Sequence, residues 1–316
     1  MTQSAKPEVI VAFPVAASAL EALRAHYTVH HVPVTAERQG AVTELGSRIV
    51  AVITNGTFGW DAELMRQMPK LKIVSAFGAG YENIDAVAAQ QLGIATSHGR
   101  GTNTISVADH ALTLLFAIVR DIVVSADGLQ QGKWQNIRHA RPDISGRRLG
   151  IFGLGLIGQA IATRARAFDM SIAYCNRKPN PEVAYEYVPT LESLAEKVDF
   201  LICAAPGGAA TRHVVNADVL RALGPQGYLV NVGRGSVVDS DALSLALRNG
   251  DIAGAGLDVF EGEPNLPDSL KGIPNLIVTP HIAGFSPDSF DGYIRSVVEN
   301  VDACLAGRPA VTPIPL

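Results

Sequence analysis

Cysteine is scarce in this chain of 316 residues: Cys175, Cys203 and Cys304 stand far apart and form neither a Cys-x-x-Cys pair nor a Cys/His ligand spacing. That excludes a zinc site and a disulfide framework, predicts no bound metal, and fits a reducing compartment. Charge of one sign is lacking as well. The formal net charge is −4, and no run of Lys/Arg exceeds the pairs Arg147-Arg148 and Arg177-Lys178. Nucleic acid and acidic membrane surfaces are therefore excluded as expected partners. Long apolar runs are missing too. The richest, ALTLLFAIV (111–119), is flanked by Asp109, His110, Arg120 and Asp121, and it falls short of the ~18 residues that span a bilayer. The N-terminal MTQSAKPEVIVAF has no basic start followed by a long apolar core, so no signal peptide is expected. These absences together predict a cytoplasmic protein.

What is present is an ordinary globular balance, 47% hydrophobic and 18% charged, in a chain long enough for two cores. Short strand-like runs alternate with helix-like segments: EVIVAF (8–13), YTVHHV (27–32), RIVAVIT (48–54), KIVSAF (72–77) and GIAT (93–96). A second series begins at RLGIFG (148–153) and continues through MSIAYC, DFLICAA, GYLVNV, IAGAGLDVF and NLIVTP. Such alternation predicts α/β architecture with parallel sheets covered by helices on both faces. Between the series, the segment from Thr104 to about Ser125 is apolar on nearly all sides, which predicts a buried helix or a subunit interface. The polar stretch 131–146 reads as a connection, and 287–305 as a last helix.

In GIFGLGLIGQAIA, Gly153, Gly155 and Gly158 have G-x-G-x-x-G spacing after a strand and at the opening of a helix. Glycine suits a tight turn where a pyrophosphate approaches the backbone, and the helix N-terminus offers N–H groups to it. Such a turn can also serve packing alone. The fingerprint expects an acidic residue about 20 positions on. Here YCNRKPN supplies Asn176, Arg177 and Lys178 instead. A ribose 2′-phosphate would be matched by a guanidinium and an ammonium, so the turn predicts NADP over NAD; the plain alternative is a solvated basic turn.

Three later segments also lie at strand ends: NVGRGSVVD (231–239), GLDVFEGEP (256–264) and TPHIAG (279–284). Arg234 sits between Gly233 and Gly235, Glu263 precedes Pro264, and His281 follows Pro280. Singly, each can be read as a surface ion pair, a solvated loop acid and a hydrogen-bonded loop histidine. With FGAGYENID (77–85), SVADHAL (106–112) and the glycine turn, they make the chain resemble the D-isomer-specific 2-hydroxyacid dehydrogenases over nearly its whole length.

The resemblance implies two doubly wound parallel-sheet domains. A Rossmann cofactor domain, residues 99–285, would be inserted into a flavodoxin-like substrate domain of residues 1–98 and 286–316. Helices near 104–124 and 287–305 would link the halves, and the cofactor domains would pair two copies into a homodimer. His281 would donate a proton, Glu263 would bond its other ring nitrogen, and Arg234 would hold the substrate carboxylate and polarise its carbonyl. Gly78, Ala79 and Gly80 would meet the carboxylate through the backbone, and Asn55 would border the substrate. Further cofactor contacts are implied at Val107, Leu156, Ile157, Ala205, Pro206, Thr211, Val232, Gly233 and Gly284, with Asp258 on the nicotinamide side.

Two departures from the commoner family pattern are Leu156, where Arg is frequent, and Asp109, where Glu is usual; PGGAAT (206–211) resembles NADP-linked glyoxylate and hydroxypyruvate reductases. The expected activity is NADPH-dependent reduction of glyoxylate or hydroxypyruvate to the D-2-hydroxy acid, with NAD as the second cofactor. The alternatives are a reductase of bulkier 2-keto acids such as aryl pyruvates, and a dinucleotide-sensing scaffold resembling the corepressors of this fold.

Overall fold

The computed structural model describes residues 5–316, so the first four residues of the stretch read for a signal peptide lie outside the described residues. The chain divides into two compact units, one running up to Asn103 and resuming over Phe285–Leu316, the other Thr104–Gly284.

The first unit holds strands β1 (Glu8–Val11), β2 (Thr28–His31), β3 (Ala51–Thr54), β4 (Ile73–Ala76) and β5 (Ala95–Ser97). They form one parallel sheet in the order β2-β1-β3-β4-β5, the flavodoxin-like order. Helices α1 (Ala17–His26), α2 (Arg38–Leu45), α3 (Ala62–Arg66) and α4 (Ala86–Gln91) connect them. Strand alternation divides the core. Ile10 and Val52 pack with Val42 and Leu45 on one face, whereas Val9, Val11 and Ile53 pack with Leu20 and Leu23 on the other. Every residue of β3 and β4 is buried, as expected of central parallel strands covered on both sides.

The second unit opens with α5 (Thr104–Val119) and α6 (Ile122–Gln130). The single helix expected over 104–124 is thus broken: Asp121 has φ 56°, a left-handed conformation that ends one helix before the next begins. Within the unit α5 is deeply packed, with Ala108, Ala111 and Leu115 fully buried. It lies close because its neighbours lack side chains: a Cβ on Gly256 would stand 3.0 Å from Leu114 Cβ. On α6, by contrast, Ile122, Val123, Val124 and Leu129 are exposed. Residues 131–146 contain no helix or strand.

The unit continues through β6 (Arg148–Phe152), α7 (Leu156–Ala165), β7 (Ser171–Cys175), β8 (Glu186–Tyr187), α8 (Leu191–Lys197), β9 (Phe200–Cys203), α9 (Ala217–Leu223), β10 (Tyr228–Asn231), α10 (Ser240–Asn249), β11 (Gly254–Leu257) and β12 (Leu276–Val278). Its sheet is entirely parallel, ordered β12-β11-β10-β9-β6-β7-β8. The strand order reverses at β6, and ligands of open α/β sheets bind outside the carboxyl ends at such a switch point. The short β8 was not foreseen. The chain then returns to the first unit as α11 (Pro287–Leu305), where Ser286 Oγ accepts the Ser289 N–H at 3.1 Å and Pro287 occupies the first turn. No helix among the described residues is long and apolar enough to cross a membrane.

Candidate active site

In the second unit the glycine turn, the basic turn and the loops carrying Arg234, Glu263 and His281 all leave the carboxyl edge of the sheet. After β6, Gly153 has φ 98°, and a Cβ there would lie 2.5 Å from the Ala205 nitrogen. A Cβ on Gly158 would run into the Gly153 carbonyl, whereas Gly155 faces open space. Glycine is thus required for packing at two of the three positions, and at the third it leaves a bare backbone approach. Among the described residues no side chain caps α7, so the N–H groups of its first turn stay open, with Leu156 exposed and Ile157 half-buried beside them.

Strand β7 ends in register with β6, Cys175 opposite Phe152. The Gly153 N–H donates to the Cys175 carbonyl at 3.1 Å, and the Leu154 N–H to Asn176 Oδ1 at 2.8 Å. The basic turn is thereby fastened to the glycine turn. Arg177 and Lys178 are exposed there, and neither makes an ion pair among the described residues. Ala205 is buried beneath Gly153 and Gly233. In the loop that follows, Thr211 Oγ1 donates to the Pro206 carbonyl at 2.8 Å. Val107 and Val232 are core residues.

The Arg234 turn is set by the buried Asn231. Its Oδ1 accepts the Gly233 N–H at 3.1 Å, and its Nδ2 donates to the Arg234 carbonyl at 3.0 Å. Arg234 Nη1 donates to the Gly233 carbonyl at 2.7 Å, and the side-chain stem passes over Gly207. A Cβ on Gly235 would collide with the Phe260 carbonyl group, so the Arg234 turn and the loop carrying Glu263 are packed backbone to backbone. Glu263 Oε1 accepts the Phe260 N–H at 3.0 Å, which leaves Oε2 aimed at His281 Nδ1, 2.7 Å away. His281 itself has φ 54°, uncommon for a non-glycine residue, and its side chain is 46% exposed.

Asp258 was expected on the nicotinamide side. The structure shows it 1% exposed, with its carboxylate engaged from within the protein. Oδ1 accepts Thr279 Oγ1 at 2.6 Å and the Ile282 N–H at 2.9 Å, and Oδ2 accepts the Ala283 N–H at 2.9 Å. His110 Nε2 stands 2.9 Å from Thr279 Oγ1 and 3.4 Å from Asp258 Oδ1. Burial alone would push the carboxyl up, but the hydrogen bonds from His110, Thr279 and the two backbone N–H groups outweigh it and hold it below its ordinary range. Asp258 thus braces the 279–283 loop, which carries His281 and ends next to Gly284. Cys203 is fully buried, its thiol pushed up to about 12 by desolvation, so it is no nucleophile.

In the first unit, Asn55 follows β3 and its Oδ1 accepts the N–H groups of Thr57 and Phe58 at 3.1 and 2.9 Å. This side chain shapes its own loop. Gly78, with φ 113°, Ala79 and Gly80 follow β4, and a Cβ on Gly56 would approach the Gly80 carbonyl carbon to 2.7 Å, so the two loops pack together.

Residues 112–283 match the sequence profile of the D-isomer specific 2-hydroxyacid dehydrogenase NAD-binding domain. The chain is 39% identical to a hydroxyphenylpyruvate reductase of Plectranthus scutellarioides over 84% of its length and 85% of that protein's. It is equally 39% identical to a glyoxylate/hydroxypyruvate reductase A of Arabidopsis thaliana, with the same coverage. An NADPH-dependent glyoxylate/hydroxypyruvate reductase of Sinorhizobium meliloti, solved with NADP and malonate, superposes with a TM-score of 0.90 at 39% identity, covering 98% of this chain and 97% of that one.

The chain belongs to the D-isomer specific 2-hydroxyacid dehydrogenase family. As a family member it carries an NAD-binding domain and the fold of these dehydrogenases. Its Asp109, in place of the usual Glu, pairs with Arg164 at 2.6 Å on α7. Two histidines not named as site residues from the sequence hold loops within their own units: His110 joins the Asp258 brace in the second unit, and His98 contacts the Ala79 carbonyl in the first. In the sequence His110 lies inside the SVADHAL motif, whereas His98 lies in none of the family motifs.

Proposed function

We propose that the protein reduces a small 2-keto acid, glyoxylate or hydroxypyruvate, to the D-2-hydroxy acid with NADPH. The second unit, Thr104–Gly284, is then the dinucleotide-binding domain and the first unit the substrate domain. The observation that carries the reading is the Glu263–His281 pair, 2.7 Å apart at the carboxyl edge of a dinucleotide-type sheet.

The cofactor fit rests on the open backbone at Gly155 and, among the described residues, on the uncapped start of α7 and the cations without an ion pair at the end of β7. The α7 N–H groups would take the pyrophosphate, and Arg177 with Lys178 the 2′-phosphate. When bound, the nicotinamide supplies the hydride. The rest is the work of the chain's own side chains. Glu263 holds His281 by Nδ1, which leaves Nε2 to give its proton to the carbonyl oxygen. Arg234 binds the carboxylate and polarises the carbonyl, and the N–H groups of Ala79 and Gly80 take the carboxylate. The equal identity to a hydroxyphenylpyruvate reductase favours, as the second reading, a 2-keto acid with an aryl side chain.

The exposed apolar residues of α6, together with Trp134, form the face on which a second copy would pack. Substitution His281→Ala should lower kcat by about 10²–10⁴-fold while leaving the NADPH Kd, read by fluorescence, nearly unchanged. Near-normal turnover would remove His281 from the proton-donor role.

A further inference from the structure

The loop after β4 has a feature that its glycines do not explain. Its two carbonyls at positions 78 and 79 are both taken by the residues that follow β5. β5 lies directly beside β4, with Ser97 opposite Ser75. The Gly99 N–H donates to the Gly78 carbonyl at 2.7 Å, and His98 Nδ1 stands 3.0 Å from the Ala79 carbonyl. In a trans peptide the N–H points opposite to the C=O of the same unit. Holding these two carbonyls on one side therefore turns the N–H groups of Ala79 and Gly80 to the other. Among the described residues none supplies an acceptor for either N–H. Two successive free N–H groups on one side make an anion-binding concavity.

His98 is well fixed for this task. Its backbone N–H donates to the Thr312 carbonyl at 3.0 Å, and its carbonyl accepts Thr312 Oγ1 at 2.6 Å. Its ring meets the Tyr81 ring edge-on, 4.9 Å between centroids. Burial pushes the imidazole pKa down, with Arg100 adding to the effect, and these outweigh the Ala79 carbonyl and Glu82, which raise it. A neutral imidazole has one N–H, and the carbonyl acceptor assigns it to Nδ1.

We propose that His98 is a positioning residue for the substrate carboxylate: by holding the Ala79 carbonyl it aims the Gly80 N–H at the anion. The inference rests on the reading that the Ala79 and Gly80 N–H groups take that carboxylate. His98 touches neither substrate nor cofactor in this scheme.

The test compares the parent enzyme with His98→Phe, His98→Leu and His98→Asn, using NADPH and either glyoxylate or glyoxal, which lacks the carboxylate. Phe keeps the ring contact and loses the donor, and Leu serves as a second donor-free variant should Phe not fit. The Asn amide nitrogen falls close to where Nδ1 stood. The donor-free variants should raise the glyoxylate KM about tenfold, with kcat and the NADPH KM little changed and the glyoxal rate unaffected. His98→Asn should recover most of that loss. An unchanged glyoxylate KM in the donor-free variants, or an Asn variant as impaired as they are, would overturn the role of His98 while leaving the carboxylate reading intact. A parent enzyme that uses glyoxal as well as glyoxylate would overturn the carboxylate reading, and the role of His98 with it.

Discussion

At the scale of single residues, the proposed preference for NADPH turns on Arg177 and Lys178. An acid at this turn would repel a 2′-phosphate, whereas an exposed guanidinium and ammonium with no ion pair among the described residues are available to it. Replacing both by Ala should raise the NADPH KM about tenfold or more, with little effect on the NADH KM, because exposed charge-assisted contacts to phosphate are each worth on the order of a kcal/mol or more. Steady-state kinetics with the two cofactors reads the result. Equal changes in both KM values would mean that the turn is simply a solvated surface feature.

The elements show how these side chains are held. Strands β10, β11 and β12 deliver Arg234, Glu263 and His281 to one edge, and the buried Asp258 ties the last of these loops to the sheet. Its folded-state carboxyl lies below the ordinary range, so its contribution to stability is fully present above the unfolded value of about 3.9 and is lost as pH falls through the folded one. Asp258→Asn should therefore cost about 2–4 kcal/mol near pH 7, in denaturant unfolding, and the gap from the parent should narrow below about pH 4. A gap that is constant with pH would contradict this account of the brace.

Much of this element scale was legible in the sequence. Parallel strands read clearly because their buried runs are short and continuous, and the glycine turn because its spacing follows from backbone geometry. The break at Asp121 was not legible, since a left-handed aspartate inside an apolar run is fixed by tertiary context rather than propensity. β8 is two residues long and carries almost no pattern. His98 and His110 act on partners 19 and 169 residues away in the chain, a distance that no local pattern encodes.

For the molecule as a whole, two properties are at stake. One is assembly. The exposed Ile122, Val123, Val124, Leu129 and Trp134 cluster on and just after α6, and burial against a second copy would remove them from water. Light scattering should give twice the chain mass of 33.3 kDa, and Val123→Asp with Leu129→Asp should shift it toward the single chain. A monomeric parent would contradict the pairing. The other property is the proposed activity, which would need the dinucleotide sheet edge and the Glu263–His281 pair to act together. The most direct test is kcat/KM for glyoxylate, hydroxypyruvate, pyruvate and phenylpyruvate, each with NADPH and with NADH. The account predicts the highest values for glyoxylate or hydroxypyruvate with NADPH; a preference for phenylpyruvate, or for NADH, would contradict it.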